Sequence, residues 1–171
     1  VYNFRGGDLF NSKKPYYGFM KFSAVSKRIP PDTKSIGIVT QPFDSRGAQQ
    51  RSFDANSITR ERHRVVVMAL FDFLQERFPQ ARVTIHNGHT ETIALAYARM
   101  LMANQTIVGI TSFAVFPAIA SFGTGYIRKP IERGPNPFLM NPPIDQLVDD
   151  VILMEDPDLL MVQTARIIFH K

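Results

Sequence analysis

The chain has 171 residues, 44% of them hydrophobic and 20% charged, with no cysteine, a formal net charge of +5 and a pI near 9.7. That composition is too apolar for a disordered chain and suits one domain with its own core, and the missing thiol excludes disulfides, thiolate nucleophiles and cysteine metal sites while leaving the redox compartment open. The basic surplus favours an anionic partner, yet it is spread over pairs such as Lys13-Lys14, Lys27-Arg28 and Arg128-Lys129 with no nucleic-acid-binding signature, so nucleic acid is not the expected partner.

Taken in chain order, short β-rich runs alternate with helical segments, which predicts an α/β domain with a largely parallel sheet flanked by helices. Residues 1–4 read as a strand entering Arg5-Gly6-Gly7-Asp8. Residues 17–29 read as a weak helix closed by Pro30-Pro31, and 35–40 as a buried strand halted at Gln41-Pro42. A polar loop over 43–57 leads to the strongest helix, capped by Thr59, with Val66, Val67, Leu70, Phe71, Leu74 and Phe78 at helical spacing and Pro79 as the stop. His63, inside this helix, reads as a surface or core-edge residue. Residues 82–86 form the next strand, and Thr90 caps a second amphipathic helix running to about Ala103. Residues 105–110 are again strand-like, and Thr111-Ser112 open a short apolar helix reaching Phe122. Gly123-Thr124-Gly125 turn the chain into Tyr126-Ile127-Arg128, and residues 129–143 form a Pro- and Asn-rich loop. A last strand at 151–154 precedes a helix from Asp158 to about Phe169.

Residues 1–4 resemble the middle of a strand, and the chain opens without Met, a basic leader or a long apolar run. One domain over 1–171, cut from a longer two-domain protein, is the expectation.

In open α/β sheets ligands bind beyond the carboxyl ends of the strands, and three polar clusters occupy such ends. Arg5-Gly6-Gly7-Asp8 combines a planar fork of donors suited to a diphosphate with two glycines that let a ligand approach the backbone. Asp8 can hold Arg5 or bind loop amides. Thr111, Ser112 and Phe113 mark a helix start, where free N–H groups and two hydroxyls suit a phosphate; a plain cap is the alternative. His86, Asn87, Gly88, His89, Thr90 and Glu91 form the third cluster. Its two histidines lack a third ligand, so no metal is assigned. Glu91 reads either as a dipole-stabilised acid in a first helical turn or as an acceptor for ribose or sugar hydroxyls. Phosphate-loop, dinucleotide-binding and nucleophile-elbow motifs are absent from the sequence.

The order of these clusters resembles the fucosyltransferase-like glycosyltransferases. The matching segments are Tyr2-Asn3-Phe4-Arg5-Gly6-Gly7-Asp8 and Gly109-Ile110-Thr111-Ser112-Phe113, the latter preceded by the acidic helix start at Thr90-Glu91. Where the family commonly has His before the Arg, this chain has Asn3 and Phe4. The resemblance implies the donor-binding half of a GT-B architecture, built from two Rossmann-like domains, with a sugar nucleotide (often GDP-fucose) and a glycan acceptor as partners. By this likeness Arg5 and Asp8 form the catalytic pair, Arg5 on the diphosphate. Gly6, Gly7, His86, Asn87, Glu91, Thr111, Ser112 and Phe113 line the substrate, with Ser112 on the phosphates and Glu91 on the sugar or ribose. Catalysis is expected without a metal or other cofactor, in the Golgi lumen, with any membrane anchor lying upstream. Asp8, His86, His89 and Glu91 all remain candidates for the general base.

Overall fold

Runs of β-branched and aromatic residues form the strands of one parallel sheet. The computed structural model describes residues 1–4, 18–42, 57–88, 91–109, 111, 113–128, 151–154 and 159–161, of which 18–19, 57–59, 128, 151–154 and 159–161 are described by their backbone. The parallel strands are β1 (Tyr2–Phe4), β3 (Ser35–Thr40), β4 (Arg82–His86), β5 (Gln105–Val108), β6 (Thr124–Arg128) and β7 (Val151–Met154). They lie in the order β4-β3-β1-β5-β6-β7, with every neighbouring pair parallel. Counting only these strands in chain order, the sheet reads 3-2-1-4-5-6, the order of a Rossmann-like fold.

Side chains alternate between the two faces of a strand, so the sheet sorts its apolar residues into two layers. On one face Tyr2, Phe4, Ile36, Ile38, Val83 and Ile107 pack against Ala24 and Val25 of α1 (Phe22–Ser26) and Val67, Leu70 and Leu74 of α2 (Ser57–Arg77). Phe22 meets Phe73 at a ring-centroid distance of 5.6 Å, which ties α1 to α2. On the other face Val108 and Ile127 pack against Met100 of α3 (Ile93–Leu101) and Ala118 of α4 (Val115–Ile119), together with Ala114 just before α4. The apolar stripe predicted for α2 is thus the one that is buried, with Val67, Leu70 and Leu74 at 0% exposure.

His63 departs from its expected place. It is buried at 2% exposure, with its Nε2 2.8 Å from Thr40 Oγ1 and its ring stacked on Phe4 at 5.6 Å. Position 63 falls four residues before Val67 on the same helical stripe, which is why it faces the sheet. Burial pushes its pKa down to about 4, so the ring is neutral at pH 7.

Four boundaries also differ. Residues 18–20 are not helical: β2 (Gly18–Met20) pairs antiparallel with β8 (Leu159–Met161), and only α1 of the expected helix forms. The same pairing replaces the first turn expected after Asp158, the rest of which lies outside the described residues. Helix α2 begins at Ser57, ahead of Thr59. Helix α3 begins at Ile93, capped by Thr92, whose Oγ1 accepts a bond from the Leu95 N–H at 3.3 Å. Glu91 therefore precedes the helix instead of lying in its first turn. Among the described residues no helix is long and apolar enough to cross a membrane.

Candidate functional site

The chain runs from β1 outward to β3 and β4, then returns to the other side of β1 to lay down β5, β6 and β7. The reversal falls between β1 and β5, and in open parallel sheets the crevice at such a reversal is where ligands sit. Phe4 ends β1 there, so Arg5, Gly6, Gly7 and Asp8 follow directly from it; all four lie outside the described residues. Across the crevice, the Gly109 N–H donates to Asn3 O at 3.2 Å, continuing the pairing past β5. A Cβ on Gly109 would stand 3.0 Å from that same oxygen, so glycine is what lets the two chains close up at this point.

Beyond Gly109 the chain makes tight local bonds. The Thr111 N–H donates to Gly109 O at 3.0 Å, and Thr111 Oγ1 accepts from the Phe113 N–H at 3.1 Å. Thr111 thus closes a turn with the hydroxyl that the sequence offered to a phosphate. Phe113 packs edge-on against Tyr97 at 4.7 Å, as part of the core on that face. Helix α4 begins only at Val115, with Ala114 as an N-cap that makes no side-chain bond. The helix start expected at Thr111-Ser112 is therefore shifted: the turn comes first, and the five-residue helix follows it. Ser112 itself lies outside the described residues.

The third cluster is the most fully built. The row His86, Val39, Asn3, Val108 crosses four strands in register and shares one face of the sheet. On that face the His86 ring lies over Gly37, where a Cβ would come within 3.3 Å of its Cδ2. After β4 the Glu91 N–H donates to Asn87 O at 3.1 Å, and this turn returns Glu91 onto the strand end. His86 Nδ1 stands 2.8 Å from Glu91 Oε1, and its Nε2 stands 2.8 Å from Thr84 Oγ1. Desolvation holds the His86 pKa below its usual value, although the Glu91 charge opposes the shift. A neutral ring with both contacts donates from Nδ1 to the carboxylate and accepts the Thr84 hydroxyl at Nε2. His86 is thereby a positioned group with both nitrogens engaged.

Arg99, six residues into α3, donates from Nε to the same Oε1 of Glu91. The Glu91 side chain is only 4% exposed, and its Oε2 is buried with no hydrogen-bond partner among the described residues. Arg99, Thr84 and Gly37 were not candidates from sequence. Thr84 was legible, since it lies two residues before His86 on the same strand face. Arg99 was not, because its contact spans a cap and nearly two helical turns. His89 lies outside the described residues, and among those described no three His, Asp or Glu side chains gather as a metal site would require.

Compared with protein-family models, curated protein sequences and solved structures, the chain finds no match.

Proposed function

We propose that this chain is the sugar-nucleotide-binding domain of a glycosyltransferase resembling the fucosyltransferase-like enzymes. One observation carries the reading: the three polar clusters follow the carboxyl ends of β1, β4 and β5, all parallel, around the reversal between β1 and β5. Adjacent strands stand about 4.8 Å apart, which puts the end of β4 about 10 Å from the end of β1 at the crevice's edge, a span that a nucleoside diphosphate bridges. In this reading Arg5 and the amides of Gly6 and Gly7 offset charge developing on the leaving diphosphate, with Asp8 holding Arg5. His86, Asn87 and Glu91 receive the ribose or sugar, while Thr111, Ser112 and Phe113 shape the opposite wall. The glycan acceptor and a Golgi-lumen setting belong to the same proposal, which invokes no metal or other cofactor.

Arg5→Ala should weaken binding of GDP or a GDP-sugar by about 1.5–3 kcal/mol, the value of a charge-assisted contact. Lys13→Ala should leave it nearly unchanged. Calorimetry giving equal, small losses for both would remove Arg5 from the site.

A non-catalytic nucleotide- or glycan-binding module would use the same crevice, and the engagement of both His86 nitrogens favours it. Donor turnover in the presence of a glycan acceptor separates the two.

A further inference from the structure

Glu91 meets Arg99 and His86 through a single oxygen. Oε1 takes both the Arg99 Nε–H and the His86 Nδ1–H, and Thr84 fixes the far side of the imidazole. Oε2 is left buried without a donor among the described residues, on a side chain only 4% exposed. Leaving a buried acceptor unmade is unfavourable, so a ligand donor that displaces part of its cover is favoured there. The charge balance says which kind of donor. The Arg99 guanidinium already offsets the carboxylate, and burial keeps His86 below its usual pKa, hence neutral. A cationic ligand would add an uncompensated charge, and both His86 nitrogens are turned away from metal coordination. A neutral hydroxyl fits.

We propose that Arg99 is a positioning residue. With His86 and Thr84 it locks Glu91 so that Oε1 is engaged and Oε2 is the oxygen left for a ligand that displaces its cover, and this oxygen reads one hydroxyl of the ligand's sugar ring. The inference rests on the sugar-nucleotide reading for the identity of the ligand, though not for the clamp itself. The hydroxyl belongs either to the ribose or to the transferred sugar, and the two sources have separate signatures.

The test measures affinities of the full chain for GDP, 2′-deoxy-GDP, 3′-deoxy-GDP and GDP-fucose, repeated with the uridine series. If the ribose is read, one deoxy form binds about tenfold more weakly than its parent, the usual scale for a lost bond to a charged group. Glu91→Gln abolishes that difference, because its amide keeps an oxygen toward Arg99 and His86 and places a donor where Oε2 was. If the transferred sugar is read, the deoxy forms bind like their parents, and Glu91→Gln abolishes the difference between GDP and GDP-fucose. In either case Arg99→Met cuts the discrimination to about twofold and Arg99→Lys restores part of it. A purely structural Arg99 would lower the melting temperature in both variants and leave the discrimination intact, which overturns the proposal. So does a Glu91→Gln variant that shifts neither difference. If no nucleotide binds at all, the function proposed above fails while the clamp is still decided. Free fucose or ribose shifting the Arg99 side-chain resonance in wild type but not in Glu91→Gln upholds it, and no such shift ends it.

Discussion

Leu70→Ala should destabilise the fold by about 3–5 kcal/mol, the range for truncating a leucine that is wholly enclosed. Leu70 is 0% exposed and sits where α2 crosses the layer formed by Phe4, Ile36 and Ile38. The loss combines the transfer free energy of the missing methyl groups with the cavity left between a helix and a sheet, two rigid surfaces that close up poorly. Val65→Ala, on the same helix but 40% exposed, is the control and should stay within about 0.5 kcal/mol. Urea unfolding of the two variants checks the orientation of α2 directly. Comparable losses at both positions would mean that α2 is turned about its axis relative to the sheet described above.

The second large effect is acid destabilisation through His63. Its pKa is depressed from 6.5 in the unfolded chain to about 4 in the folded one by burial. Above pH 6.5 the residue is neutral in both states, so stability does not depend on its titration. As pH falls below 6.5 the unfolded chain takes up the proton first, and stability drops until about pH 4, where the folded state takes it up too. Each pKa unit is worth about 1.4 kcal/mol, so the full loss is about 3 kcal/mol. His63→Gln, which can still bond to Thr40, should remove this slope. His86, whose pKa is also lowered, and the carboxylates titrate in both proteins and cancel in the comparison. The measurement is unfolding free energy at pH 7.5 and at pH 4.5 for each protein. A wild-type pH dependence that matches the variant's would show that His63 is not buried as described.

Much of the sheet was legible because its strands are short apolar runs cut off by turn residues. Ser35–Thr40 and Arg82–His86 stand where the sequence reading placed them. The α2 stripe was legible for the same reason: its spacing is local information, and His63 belonged to that stripe four residues before Val67. The strand at Gly18–Met20 was not, since it exists only by pairing with Leu159–Met161, far away in the chain. The cap of α3 moved from Thr90 to Thr92 because the Asn87–Glu91 bond forms a separate turn first. That shift decides the site: it takes Glu91 off the helix and sets it against His86. Past Gly109, Thr111 Oγ1 likewise accepts from the Phe113 N–H, so toward a ligand the side chain acts through its own O–H. Residue types foretold polar clusters at strand ends, but the division of their hydrogen bonds between fold and ligand is a tertiary property.

Sugar-nucleotide binding at the carboxyl edge of the sheet is tested most directly by titrating the isotope-labelled chain with sugar nucleotides and following its backbone amide shifts. Saturable binding is expected, roughly micromolar to millimolar, with the largest shifts at Gly109, Thr111, Asn87 and Glu91, along the carboxyl edge of the sheet. Little change is expected at Ala81 and Asn104, which precede β4 and β5 at the opposite edge. Shifts confined to that opposite edge, or no saturable response to any guanosine or uridine diphosphate sugar, would contradict binding at the carboxyl edge.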